Sequence, residues 1–204
     1  ILQQGTHSPG RSGSPLSWIN DDEHGEPNRL WKNLGNGRFR EVTSHAKAGA
    51  GKGHSLAATW FHYNNDRYPD LYIANDFSRN VLLKNRGDGT FKDVSQSSRS
   101  ADFATSMGVA AGDVDNDGQS DLYVANMFSK MGRRIIAYVD SSDYPPGVYQ
   151  QIQGSCAGNR LYFGSRPNGP FQEQGELLGV NGVGWAYAPA MADFDNDGWL
   201  DLYA

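Results

Sequence analysis

Cysteine is almost missing from these 204 residues, with Cys156 standing alone. A single thiol can form no disulfide within the chain and no cysteine-based zinc site. Long apolar runs are missing as well, since none approaches the roughly 20 residues of a bilayer-spanning helix. The formal charge of -5 is interrupted by no extended Lys/Arg run, so the clustered positive charge that neutralises nucleic-acid phosphates is not there. An initiating methionine and a leader are also lacking. The segment begins at Ile1 and ends at Ala204 inside an apolar run, which reads as a piece of a longer protein whose other parts would carry any targeting signal.

Glycine, by contrast, is abundant, with 25 residues beside 10 Tyr and 5 Trp, and only 20% of the chain is charged. That balance reads as turn-rich β structure. Two elements recur. Asn28-Arg29-Leu30-Trp31-Lys32-Asn33, followed by Gly35-Asn36-Gly37-Arg38-Phe39, returns 52 residues later as Asn80-Val81-Leu82-Leu83-Lys84-Asn85 and Gly87-Asp88-Gly89-Thr90-Phe91. A looser copy, Asn159-Arg160-Leu161-Tyr162-Phe163, follows after 79. Between them lies the second element, at His62 to Asn75, Asp113 to Asn126 and Asp193 to Ala204, with offsets of 51 and 80. Both series share one period and one insertion of about 28 residues.

Within a period the signals are those of short strands. Leu71 to Ala74, Leu122 to Ala125 and Leu200 to Ala204, the last interrupted by Asp201, are too short for helices and apolar on both faces, as strands covered on two sides are. Asn36-Gly37 and Asp88-Gly89 separate strand-like runs, a strong hairpin signal. Ser106 to Gly112, rich in small residues, predicts a strand that other backbone approaches closely. About four short strands per ~51 residues is the arithmetic of a β-propeller blade. The expected fold is all-β, with three to four four-stranded blades and a short helical insertion. Residues 1–27 are expected to be the loop-rich end of a preceding blade, 28–204 the propeller blades, and 127–158 the insertion. In that insertion Met127, Met131, Ile135 and Val139 recur every four residues, which predicts a helix over Ser129 to Tyr138 before Pro145-Pro146.

The acidic loops carry the chemistry. In Asp113 to Asp121 the carboxylates fall at positions 1, 3, 5 and 9: Asp113, Asp115, Asp117 and Asp121. Asp193, Asp195, Asp197 and Asp201 repeat the pattern. Four carboxylates within nine residues repel unless a cation neutralises them, and an all-oxygen set suits calcium. Gly118 and Gly198 stand where the loop must turn sharply, and position 7, Gln119 or Trp199, offers a backbone carbonyl. An EF-hand takes a Glu at position 12, where this chain has Val124 and Ala204, and a strand follows directly instead of a helix. Two calcium ions would bring the charge from -5 to -1. In the first copy His62, Asn64 and Arg67 replace two carboxylates and the glycine, so the His62–Asp70 loop is expected to have lost its ion.

These paired motifs resemble FG-GAP/VCBS repeats, the blades of integrin alpha-chain propellers, and are most similar to the bacterial branch that includes cartilage acidic protein-like sequences. The resemblance covers about Asn28 to Ala204. It implies a propeller, usually seven-bladed, with structural calcium between the first two strands of a blade, in a protein that is extracellular, on the cell surface or periplasmic.

Other motifs fail on context. Arg86-Gly87-Asp88 spells an integrin-recognition tripeptide, yet the first repeat has Leu34-Gly35-Asn36 there, which marks a hairpin turn. Gly53-His54-Ser55-Leu56-Ala57 lacks the last glycine of a nucleophile elbow. Ala48 to Gly53 lacks the Ser or Thr of a phosphate loop. Trp18, Trp31, Trp60, Trp185 and Trp199 are expected to fill space between sheets rather than stack on sugars. No set of base and nucleophile stands apart from the repeats. The reading is therefore a non-catalytic, calcium-stabilised scaffold that binds protein or glycan, with Lys130, Arg133 and Arg134 as candidate contacts. The alternative is the propeller domain of a secreted, lyase-like polysaccharide-active enzyme.

Overall fold

The computed structural model describes residues 25–144 and 148–204. The expected loop segment 1–27 therefore lies outside the described residues up to residue 24, Trp18 included, as do Pro145 and Pro146.

The period of ~51 residues is a blade. Strands β3 (His54–Phe61), β4 (Asp70–Arg79), β5 (Val81–Asn85) and β6 (Phe91–Asp93) form one antiparallel meander. The next comprises β7 (Phe103–Gly112), β8 (Asp121–Asn126), β9 (Arg160–Phe163) and β10 (Gln172–Glu173). Two half-blades flank these: the hairpin β1 (Trp31–Gly35) with β2 (Arg38–Glu41), and the pair β11 (Ala190–Ala192) with β12 (Asp201–Tyr203). The chain is thus a partial β-propeller. Beyond its own blade β4 also pairs with β7, through Asp76↔Thr105 and Arg79↔Phe103, so the two complete blades share hydrogen-bonded backbone.

Strand alternation explains why these runs are apolar on both faces. Tyr72 belongs to a cluster between the complete blades, with Phe61, Tyr63, Leu82, Leu122, Val124, Tyr162 and Phe171. Its neighbour Ile73 points the other way, to Leu83, Phe91, Ala46 and Ala48 against the first half-blade. Each such side chain contributes about 1.5–3 kcal/mol by leaving water. The hydroxyls of Tyr72 and Tyr123 donate to the carbonyls of Ser100 and Val180, repeat-equivalent points on the next connection. Gly108 meets the close approach expected of its strand, because a Cβ there would collide with the Tyr187 carbonyl oxygen and Pro189. The tryptophans depart from expectation: Trp31, Trp60, Trp185 and Trp199 are all about half exposed or more. Trp31 sits on a two-stranded sheet whose residues are all exposed, with no blade over that face among the described residues.

A polar ladder closes the strand ends farthest from the acidic loops. Asn28 Nδ2 donates to Ser55 Oγ, which donates to Asn75 Oδ1; one blade later Asn80 Nδ2 donates to Ser106 Oγ and Ser106 Oγ to Asn126 Oδ1. The next member differs. Ala186 stands where Ser55 and Ser106 stand, and Asn159 Nδ2 donates instead to Tyr123 Oη at 2.8 Å.

The insertion leaves the sheet after β8. The predicted helix is present over Lys130–Ile136, with Ser129 Oγ accepting from Gly132 N as its N-cap. A four-residue turn of helix, Thr43–Ala46, precedes β3, and a second insertion helix, Val148–Gly154, follows the Lys130–Ile136 helix. The apolar face read in the sequence does not pack inward: Met131 is 73% and Ile135 59% exposed.

Candidate metal centres

Each acidic loop joins the first two strands of a blade. Asp113, Asp115 and Asp117 bring one carboxylate oxygen apiece within 4.8 Å of one another, and Asp193, Asp195 and Asp197 do the same one blade later. No other group of this kind occurs among the described residues. The loop backbone makes the convergence. Asp117 N donates to Asp113 Oδ1 and Asp115 Oδ1, Gly118 N to Asp113 Oδ2, and Gln119 N to Asp117 Oδ1, at 2.7–3.2 Å. The third loop repeats all four bonds through Asp197, Gly198 and Trp199. Gly118 and Gly198 hold φ of +84° and +93°, the left-handed turn for which glycine is cheapest. Asn116 and Asn196, at φ +56° and +62°, take the same region two residues earlier.

Electrostatics leave this arrangement in need of positive charge. Partial burial lifts the Asp115 carboxyl above its ordinary range, and the Asp117 and Asp113 charges add to that rise against the Asp117 N–H bond that lowers it. Like charges at such separations repel by about 1 kcal/mol per pair even in bulk water. Three hard, anionic oxygens on a turn of fixed shape fit a divalent cation that prefers oxygen. Position 7 places Gln119 at the rim with its Oε1 shut off from water and lacking a donor.

Position 9 has a different place. Asp121 is fully buried, outside the triad, and its two oxygens accept from Val114 N (2.8 Å) and Gly164 N (2.9 Å). Burial raises its carboxyl to about 6, against those two bonds, with Asp115 and Asp113 adding to the rise. Asp70 does the same in the first blade, accepting from Tyr63 N and Asn85 N, and Asp201 accepts from Phe194 N at 3.2 Å. The ninth residue is therefore a clasp that ties the loop to the strand edge. Each of its oxygens keeps a second lone pair for a cation.

The first loop forms no triad. Asp66 is held by Asn64 Nδ2 and Tyr68 N, and Arg67 turns outward to lie 5.0 Å from the centre of the Tyr68 ring. Such a loop closes on itself through neutral donors. The geometry thus divides the three copies into two that gather carboxylates and one that does not.

The family model for the FG-GAP-like repeat matches residues 62–124 and 150–204. The chain belongs to the FG-GAP-like repeat family. The first match opens at His62, on the first loop, and runs through the second loop into β8; the second ends at Ala204 and takes in the third loop. Among curated proteins the chain is similar to cartilage acidic protein 1 of Xenopus tropicalis, 28% identical over 173 residues. That alignment takes in 68% of this chain and 26% of the relative, so the chain spans about a quarter of that protein's length. No helix among the described residues of this FG-GAP-like segment is long and apolar enough to cross a membrane.

Sequence reasoning found both triads and missed two things. It placed Asp121 and Asp201 among the ligand positions without revealing that each also clasps backbone N–H, since spacing does not show which way a carboxylate is engaged. It also assigned no role to the asparagines at position 4, Asn65 and Asn116. Asn65 Nδ2 in fact donates to the Gly118 carbonyl at 2.7 Å, and Asn116 Nδ2 to the Gly198 carbonyl at 3.1 Å, each crossing to the loop of the next blade.

Proposed function

We propose that this segment is a calcium-stabilised propeller scaffold of an exported or cell-surface protein, a binding module for a protein or glycan. The observation that carries it is the pair of triads at the same point of successive blades. Asp113, Asp115 and Asp117 would hold one ion with the Gln119 carbonyl and Asp121, and Asp193, Asp195 and Asp197 a second with the Trp199 carbonyl and Asp201. When bound, calcium supplies the positive charge that the carboxylates lack. The chain's own residues do the rest: glycine and asparagine shape the turn, and the ninth aspartate ties it to the sheet.

Residues 28–204 are then blades and 127–158 a loop-borne recognition element, since loops on a rigid frame carry most binding. On that insertion Lys130 and Arg134 are exposed beside Met131 and Tyr138, whereas Arg133 is engaged by Glu176 at 2.7 Å. The relative's name places an acidic protein in cartilage, in keeping with an extracellular setting.

Thermal unfolding of the intact protein in calcium excess and in chelator tests the reading. At 100 times Kd each ion contributes about 2.7 kcal/mol, or roughly 5–10 °C in a protein of this size. Equal melting temperatures in the two conditions would remove calcium from the account. A glycan array then separates sugar from protein ligands.

A further inference from the structure

Two of the acidic loops are touched from outside by the same kind of group. Asn65, at position 4 of the first loop, donates its amide to the carbonyl of Gly118 in the second loop, and Asn116 of the second loop donates to Gly198 in the third. In both places the accepting carbonyl belongs to a peptide unit whose N–H also works. The Gly118–Gln119 peptide passes its N–H to Asp117 Oδ1 at 2.7 Å, and the Gly198–Trp199 peptide passes its N–H to Asp197 Oδ1 at 2.9 Å. A carbonyl that accepts a hydrogen bond makes the N–H of its own peptide a stronger donor, so the two bonds reinforce each other. Each asparagine thereby fixes a carboxylate of the triad on the following blade, without touching that carboxylate itself.

The first loop gives this weight. It has no triad and self-closes around Asp66, yet Asn65 keeps a left-handed φ of +54° like Asn116 and Asn196. That conformation is uncommon for a residue with a Cβ. Here it carries the amide across the blade junction.

We infer that Asn65 and Asn116 are positioning residues, each of which sets the calcium affinity of the acidic loop on the next blade, so that the metal-poor His62–Asp70 loop serves the Asp113–Asp121 site. This rests on the calcium reading above. Consequently the three loops form a directional row, in which the first supports the second and the second the third.

The test is calcium titration calorimetry on the intact chain with one site disabled at a time. With the third loop disabled by Asp195→Asn, Asn65→Gly, which tolerates positive φ, weakens the remaining second site about five-fold, the worth of one ordinary hydrogen bond. With the second loop disabled by Asp115→Asn, Asn65→Gly leaves the third site unchanged, whereas Asn116→Gly weakens it by a similar factor. Asn65→Asp, which sets an acceptor against the Gly118 carbonyl, weakens the second site at least as much as Asn65→Gly. Unchanged affinity of the second site in Asn65→Gly overturns the inference, and so does equal weakening of both sites, which would mean general loosening. Native protein that takes up no calcium sinks it together with the calcium reading; native uptake with an indifferent Asn65→Gly sinks it alone.

Discussion

Replacing Asp121 by Ala separates the clasp from the metal. Asp121 is buried and accepts from Val114 N and Gly164 N, so truncation leaves two backbone donors without partners. Each such loss costs about 1–3 kcal/mol, which puts the gross penalty at about 4 kcal/mol. Against that, the ionised carboxylate is itself disfavoured by burial, which raises it from 3.8 to about 6, and its removal returns about 3 kcal/mol at neutral pH. A net loss of about 1 kcal/mol is expected in chelator, where no ion contributes. Asp70→Ala, which breaks the same pair of bonds in the loop without a triad, should cost a similar amount. Urea unfolding of both variants and the native protein, with calcium and with chelator, reads the difference. Asp70→Ala should show the same loss in both buffers, while Asp121→Ala should lose more in calcium, because its loop also loses a ligand. If Asp121→Ala is neutral in chelator, the clasp argument is wrong; if Asp70→Ala becomes calcium-sensitive, the division between the loops is wrong.

Asp115→Ala and Asp195→Ala should each abolish about half of the melting-temperature difference between calcium and chelator, as measured by scanning calorimetry. Asp76 has an oxygen buried without a donor, and burial raises its carboxyl from 3.8 to about 6 despite the Phe77 N–H. Because the native state keeps this proton to about pH 6 and the unfolded chain releases it near 3.8, its stabilisation is full below pH 4 and is lost as pH rises through 6. Asp76→Asn should therefore gain on the order of 2 kcal/mol over the native protein between pH 4 and pH 7 in paired urea melts. Asn80→Ala, which removes an acceptor for Asn75 N and a donor to Ser106 Oγ inside the core, should cost about 2–4 kcal/mol by the same measurement.

Much of the fold was legible because a repeat states its period twice. The hairpins at Asn36-Gly37 and Asp88-Gly89 and the buried runs around Tyr72 and Tyr123 fall where the repeat arithmetic puts them. The helix at Lys130–Ile136 was legible from its four-residue spacing, but not the exposure of Met131 and Ile135, since periodicity tells which residues share a face and not what covers it. The Val148–Gly154 helix carries no apolar stripe to announce it, and its buried residue is Gln151. The triads could be read because like charges at short spacing call for an ion. The clasp role of Asp121 and the amide links of Asn65 and Asn116 could not, because their partners lie 43, 53 and 82 residues away.

The backbone seam between β4 and β7 joins what the sequence presents as separate repeats. Peptide groups from Asp76 to Arg79 are zipped to the neighbouring sheet, so one blade cannot peel away without tearing ladder bonds in the other. Melting of the two complete blades is accordingly expected to be a single event, in which damage to either one lowers the tolerance of both.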